Sequence, residues 1–339
     1  MDTRYSRQIL FKPIGQEGQE RLGASRAVIV GAGALGTVLA NHMVRAGVGH
    51  VRVIDRDFVE PSNLQRQMLY DEEDAAQHLP KAAAAYEKLR KINSGVTIEP
   101  VITDVIPSNA ESLLADADII LDGTDNFQIR YLINDVAVKH RIPWVYGGAV
   151  SSQGIFAAFR PGQTPCLRCL YPDFPEGGET CDTAGVIGPV VDIVASYQAV
   201  EALKLLLHDE EHYSPFLENL EVWNNTHNQT RIAKGRNPEC PACGRGLYEF
   251  LEHTGEQEQV AALCGRNSVQ ITPAFDRQLN LDQLAETFAV LGKVERNKFL
   301  LRFKTGDYTL VVFPNGRTMV QGTGDPAVAR TLYARFIGA

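Results

Sequence analysis

Short apolar runs alternate along the chain with longer stretches in which apolar positions recur every three or four residues. Between positions 27 and about 150 the runs "AVIV", "VRVID", "VTIEPVI", "ADIILD" and "PWVYGGA" read as strands, with helical stretches over 36–46, around 81–92 and near 131–139. This alternation predicts an α/β fold of Rossmann-like type, a mostly parallel sheet with helices on both faces. A run as continuously apolar as "ADIILD" fits a strand covered on both sides. Residues 161–188, rich in Pro, Gly and Cys, read as loop, and 189–207 as one long helix.

The pattern changes near "ACGRGLYEFLEHTGEQEQ". We read a main domain over 1–246, a linker over 247–259 and a small separate α/β domain over 260–339, with turns at "KTGD" and "PNGR".

Composition narrows the classes. The 339 residues are 44% hydrophobic and carry a net charge of -8, an acidic balance with no basic stripe, which argues against a nucleic-acid partner. The polar, charged N-terminus lacks a signal core, and no segment approaches the ~18 apolar residues of a membrane span. A cytoplasmic protein with no membrane association is expected. In that compartment six cysteines stay reduced, so their spacing points to metal binding or catalysis before disulfides.

"GAGALG" places Gly31, Gly33 and Gly36 in G-x-G-x-x-G spacing between a strand and a helix, with Asp55 ending the next strand. Glycines there let backbone N–H groups approach phosphates, and the acid holds ribose hydroxyls. Alone, this favours NAD or FAD and an oxidoreductase; the bland alternative is a turn needed only for packing. The segment "DRDFVEPSNLQRQ" then sets Asp57, Asn63, Gln65, Arg66 and Gln67 where ligands of such sheets bind. Arg66 and Lys81 suit three phosphates and the charge that develops as a P–O bond breaks, although both types are usually solvated surface residues. In "LDGTDNF", Asp122, Asp125 and Asn126 follow a buried strand, where a carboxylate beside a triphosphate is a magnesium ligand or else a helix cap.

"RYSRQI", "GAGALG", "DRDFVEPSNLQRQ", Lys81 and "GTDNF", in this order, resemble the ATP-dependent activators of ubiquitin-like sulfur carriers, the ThiF/MoeB family, over about residues 4–245. The resemblance implies ATP-dependent adenylation of the C-terminal glycine of a carrier ending in Gly-Gly, ThiS-like or MoaD-like, for thiamine or molybdopterin cofactor synthesis. It places Gly33 and Ala34 at the nucleotide and Asp55 on the ribose. Ser62, Asn63, Leu64, Gln65 and Arg66 fall with Lys81 at the phosphates. Asp125, beside Asn126, becomes the magnesium ligand. Arg7 aligns with an arginine that reaches the nucleotide across a dimer interface, which implies a homodimer. A noncatalytic scaffold for ubiquitin-like proteins would not need the set Arg66, Lys81 and Asp125.

"CLRC" supplies Cys166 and Cys169, and "CPAC" supplies Cys240 and Cys243. Two such pairs make a closed tetrahedral zinc site of structural type; redox dithiols are the alternative. Cys181 sits apart in "GGETCDTAGVIGP", where the bland reading is a buried filler. The resemblance implies a thioester or acyl-persulfide link to the carrier there, in a family where the need for this cysteine varies. Cys264 reads as packing. The C-terminal stretch lacks a cysteine in a Gly/Arg-rich cradle, so sulfur is expected from a separate persulfide donor.

Overall fold

The computed structural model describes residues 3–173, 181–252, 259–263, 267–273 and 277–338. It divides into two compact units, Met1–Thr254 and Gly255–Ala339.

The first unit opens with α1 (Ser6–Ile9) and α2 (Gly15–Ala24) and then alternates strand and helix: β1 (Arg26–Val30), α3 (Ala34–Ala46), β2 (His50–Ile54), α4 (Glu72–Ala76), α5 (Lys81–Ile92), β3 (Thr97–Val101), α6 (Pro107–Leu114), β4 (Ile119–Asp122), α7 (Phe127–His140) and β5 (Trp144–Val150). There follow β6 (Gln153–Phe159), α8 (Leu167–Leu170), α9 (Cys181–Ala184), α10 (Gly188–Leu207), β7 (Phe216–Glu221), β8 (Thr226–Arg231) and α11 (Glu249–Glu252). The segment expected as loop thus contains the turns α8 and α9. The helices begin and end where local chemistry dictates. Asn126 caps α7 by accepting from the Gln128 N–H at 2.8 Å, and α3 stops at Gly47 in the left-handed region.

Sheet order is β3-β2-β1-β4-β5-β6-β7-β8, parallel through β5 and antiparallel beyond it. All four residues of β4 are buried, as a strand covered on both faces requires. One face packs against α3, α5 and α10, and the other against α6 and α7. The chain winds outward from β1 through β2 to β3 and then returns to β4 on the other side of β1. Register decides what that switch point offers: Val30 pairs with both Ile54 and Asp122, so β1, β2 and β4 end at one level. Open parallel sheets bind ligands at such a crevice.

The second unit is a six-stranded sheet, ordered β11-β12-β13-β14-β10-β9 and antiparallel at every pairing. Its elements are β9 (Gln259–Leu263), β10 (Ser268–Thr272), α12 (Leu281–Ala289), β11 (Lys293–Arg296), β12 (Leu301–Thr305), β13 (Tyr308–Val312), β14 (Thr318–Gln321) and α13 (Pro326–Phe336). Gly306 and Gly316 turn the chain with positive φ, at the "KTGD" and "PNGR" positions. Phe288 stacks on Phe303 at 4.5 Å within its core.

The stretch read as a linker begins with α11, which belongs to the first unit: Phe250 stacks on Tyr131 of α7 at 4.8 Å. Asp135, buried on α7, accepts from the Phe250 N–H at 2.9 Å. Burial pushes its carboxyl up to about 6, against the opposing pull of the α11 N–H groups and Arg168. A carboxyl raised above its unfolded value of ~3.9 favours folding most at low pH, and that advantage is lost as pH rises through 6. Asp135→Asn keeps an acceptor without the charge. Its stability advantage over wild type is expected to widen by about 1–2 kcal/mol between pH 5 and pH 7.5, read from urea midpoints; a pH-independent difference would refute the assignment.

Candidate functional site

The rim where β1, β2 and β4 end is built from backbone crossings that exclude side chains. Gly31 has φ +91, and a Cβ on it would lie 2.7 Å from the Gly123 carbonyl oxygen, while one on Gly36 would overlap the Gly31 carbonyl. Packing therefore explains Gly31 and Gly36. Gly33 is different: a Cβ there would meet only the Gln67 amide nitrogen and the Gly123 oxygen, each at 3.9 Å. Its missing side chain leaves open space at the N-terminus of α3, where Ala34 is the first helical residue and free N–H groups attract anions. Beside this space the Gln67 side chain is buried, and its amide oxygen has no hydrogen-bond partner among the described residues. An orphaned acceptor next to an open glycine turn fits a ligand that brings its own donors.

Asp55 clamps the turn. Its carboxylate accepts from the Ala32 N–H at 2.7 Å and the Asp57 N–H at 2.6 Å, and burial raises its pKa while Lys81 pulls it back down. Lys81, only 4% exposed, starts α5 with its Nζ 3.2 Å from Asp57 and its backbone N–H donating to the Asp57 carbonyl at 2.8 Å. The Tyr70 hydroxyl lies 2.7 Å from the Ala32 carbonyl and 3.1 Å from that of Lys81, tying turn to helix.

In the loop after β2 the candidates divide. Asn63 is buried and its side chain accepts from the Glu60 N–H at 3.0 Å, and Leu64 packs partly against the core. These two shape the loop. Ser62 and Gln65 are exposed, and half-buried Arg66 places Nη1 3.0 Å from the Ser62 carbonyl. Across the crevice Asp125 is exposed beside the capping Asn126. Helix capping is thus the use the structure gives Asn126, while Asp125 is left facing solvent.

One candidate is not brought to this rim. Arg7, exposed on α1, is held at the opposite end of α3: Gln8 donates to the Ala46 carbonyl at 2.8 Å, and Tyr5 accepts from Asn93 at 2.8 Å. Since α3 has 13 residues, that end is about 20 Å from the glycine turn. Cys181 opens α9, but its side chain, like all of Cys264, lies outside the described residues. Tyr70 and Arg130 belong to the site's framework although no motif announced them.

The four paired cysteines form one cluster. Their Sγ atoms all lie within 4.8 Å of one another, with Cys166 3.9 Å from Cys169 and 3.6 Å from Cys240, and Cys169 3.4 Å from Cys243. Four thiolates around a tetrahedral zinc at ~2.3 Å sit about 3.8 Å apart, so the set fits that ion, and no open position remains for catalysis. The hydrogen bond from Cys166 pushes the Cys169 thiol down to about 4, while the same bond and burial push Cys166 up.

Residues 5–242 match the ThiF family. The sulfur carrier protein ThiS adenylyltransferase of Bacillus subtilis is 46% identical over 339 residues, covering 100% of both chains. The sulfur carrier protein adenylyltransferase of Thermus thermophilus is 40% identical over 71% of this chain and 90% of its own, and the molybdopterin-synthase adenylyltransferase of Salmonella typhimurium is 35% identical over 71% and 96%. Among solved structures, that of E. coli MccB with ATP superposes with a TM-score of 0.62 at 23% identity, over 72% of this chain and 75% of that one, and so shares the fold. With the matched region spanning all the parallel strands and three of the four paired cysteines, the chain belongs to the ThiF family.

Proposed function

We propose that the protein uses ATP to adenylate the C-terminal glycine of a ubiquitin-like sulfur carrier ending in Gly-Gly, the activation that precedes thiocarboxylate formation. The observation that carries this reading is the open Gly33 turn, tied through Tyr70 to the start of α5 where Lys81 is buried, because it marks an anion cradle that packing does not explain. The relatives named above are adenylyltransferases, which leaves the oxidoreductase alternative without support. A ThiS-like carrier is favoured over a MoaD-like one because the Bacillus relative matches through the second unit, whereas the Salmonella relative covers 71% of the chain.

A carboxylate is a poor electrophile, and the reaction remedies this. An oxygen of the carrier's terminal carboxylate attacks the α-phosphorus of ATP, the bond to the bridging oxygen breaks, and pyrophosphate leaves with the electron pair. Backbone N–H groups of the turn at Gly33 and Ala34 hold phosphate, and Asp55 accepts from the ribose through its remaining lone pairs. Lys81 and Arg66 meet the charge growing on the leaving pyrophosphate. Asp125 would hold magnesium together with the phosphates, and the ion would supply positive charge that screens the triphosphate against the incoming carboxylate.

Arg7 is assigned to a neighbouring copy's nucleotide, because α3 separates it from its own. The homodimer this requires is supported by Ile193, Tyr197 and Val200, an exposed apolar stripe on α10 at helical spacing. Cys166, Cys169, Cys240 and Cys243 would hold zinc, which would fasten the segment after β6 to the segment around 240–243. The Cys181 thiolate then takes the acyl group as a thioester with AMP leaving, and the terminal sulfur of a separate persulfide donor displaces that thiolate to give an acyl disulfide. A second thiol of the donor cleaves the S–S bond, releasing the thiocarboxylate and leaving the donor as a disulfide. The acidic balance argues against a nucleic-acid partner. No helix among the described residues is long and apolar enough to cross a membrane.

Carrier-dependent ATP–pyrophosphate exchange tests the reading; its absence with both ThiS-like and MoaD-like carriers would sink it. Lys81→Ala and Arg66→Ala are expected to lose about 10²-fold or more of this exchange with unchanged circular dichroism, while Cys181→Ala keeps exchange and loses thiocarboxylate. Mixing Arg7→Ala with Lys81→Ala protein, each inactive alone, is expected to restore about one quarter of wild-type activity, since half the dimers then carry one intact site; no recovery after subunit exchange rules out supply in trans. Protein purified without chelator is expected to hold about one zinc per chain, and elemental analysis finding none would remove that metal.

A further inference from the structure

We propose that Arg130 is a positioning residue for adenylation, fixing the turn over 123–126 so that Asp125 is presented at the rim before nucleotide arrives. The inference rests on the adenylation reading. Arg130 is 5% exposed and lies behind the turn, so it acts through the backbone and not on the substrate. Its Nε donates to the Asp122 carboxylate at 2.9 Å, and its Nη2 donates to the Thr124 carbonyl at 2.7 Å and the Gly147 carbonyl at 2.9 Å. Phe127 and Tyr146 flank the guanidinium, with ring centroids at 4.9 and 5.1 Å.

The other oxygen of Asp122 accepts from the Thr124 N–H at 2.9 Å and its hydroxyl at 2.7 Å. Thr124 is therefore gripped at its N–H, its hydroxyl and its carbonyl by one ion pair. On the far side, the Asn126 carbonyl accepts from the Arg130 backbone N–H at 3.2 Å. Asp125 is the exposed residue between two fixed ones. A buried ion pair stabilises little beyond what apolar residues of the same volume supply. What the planar fork adds is direction, with three acceptors on β4, the turn and β5 held at once. It also neutralises Asp122, whose unpaired charge beneath the rim would repel phosphates.

Arg130→Lys keeps a cation against Asp122 but loses the fork. In the ligand-free protein, hydrogen exchange in peptides spanning 119–130 is expected to quicken about tenfold, with β1 and β2 unchanged. In carrier-dependent pyrophosphate exchange, kcat falls about 10–100-fold while the KM for ATP changes little, and half-saturating Mg²⁺ rises. A loss confined to stability would move neither the KM-against-kcat split nor the Mg²⁺ dependence per folded protein. Folded Arg130→Lys with wild-type amide exchange at 123–126, or with wild-type kcat and Mg²⁺ dependence, overturns the proposal. If Arg130→Lys does not fold, Asp122→Asn is read by the same measurements and the same outcomes decide. Failure of the wild type to exchange pyrophosphate strikes at the adenylation reading instead, and amide exchange in the ligand-free protein still decides whether Arg130 orders the turn.

Discussion

Everything at the rim descends from one register. Because Val30 lies opposite both Ile54 and Asp122, three strands deliver Gly31, Asp55 and Gly123 to the same height, and the backbones at Gly31 and Gly123 pass too closely for side chains between them. The Gly31 N–H bonds the Ile54 carbonyl and the Gly123 N–H bonds the Val30 carbonyl, both at 2.8 Å, so the sheet ladder continues one residue into the turns. A shift of one residue in β4 would send its inward side chains to the other face and separate Asp122 from Arg130. Removing one partner of such a buried pair costs about 3–5 kcal/mol, so the register and the ion pair enforce each other.

A glycine turn of this spacing is common to dinucleotide and mononucleotide sites, and its neighbours decide between them. Hydride transfer wants a dry, apolar surface beyond the phosphates. Here the crevice beyond Gly33 holds Lys81 against Asp57, the orphaned Gln67 acceptor, and the exposed carboxylate of Asp125. That surface is polar and charged where hydride transfer would want it apolar.

Much of this was legible in the chain. Strand runs, the glycine spacing and the paired cysteines are local patterns, and each maps onto a local structure. What escaped reading is held by long-range geometry. Tyr70 ties the turn to α5 through a hydroxyl whose partners are 38 and 11 residues away, and nothing around it signals that use. Arg130 reads as one more cation on an amphipathic helix until β4 and β5 are placed behind it. The Gly-, Glu- and Gln-rich composition near 247–259 suggested a linker because it masks Phe250, whose partner Tyr131 lies far upstream. Which end of α3 holds Arg7 depends on Gln8 meeting Ala46, a contact no spacing rule contains. The Asp125-Asn126 pair was ambiguous for a simpler reason: both residue types cap helices, and only the backbone shows which one does.

The four-cysteine cluster joins positions 74 residues apart, and α10, β7 and β8 all lie in the interval. As the chain leaves the ribosome, the first two thiols emerge long before the second two, so the cluster cannot close until synthesis has passed Cys243. Its closure then marks that the last antiparallel strands of the sheet, β7 and β8, have been synthesised. Order of synthesis thereby becomes order of assembly, with only α11 left to dock on α7 after the four sulfurs have met.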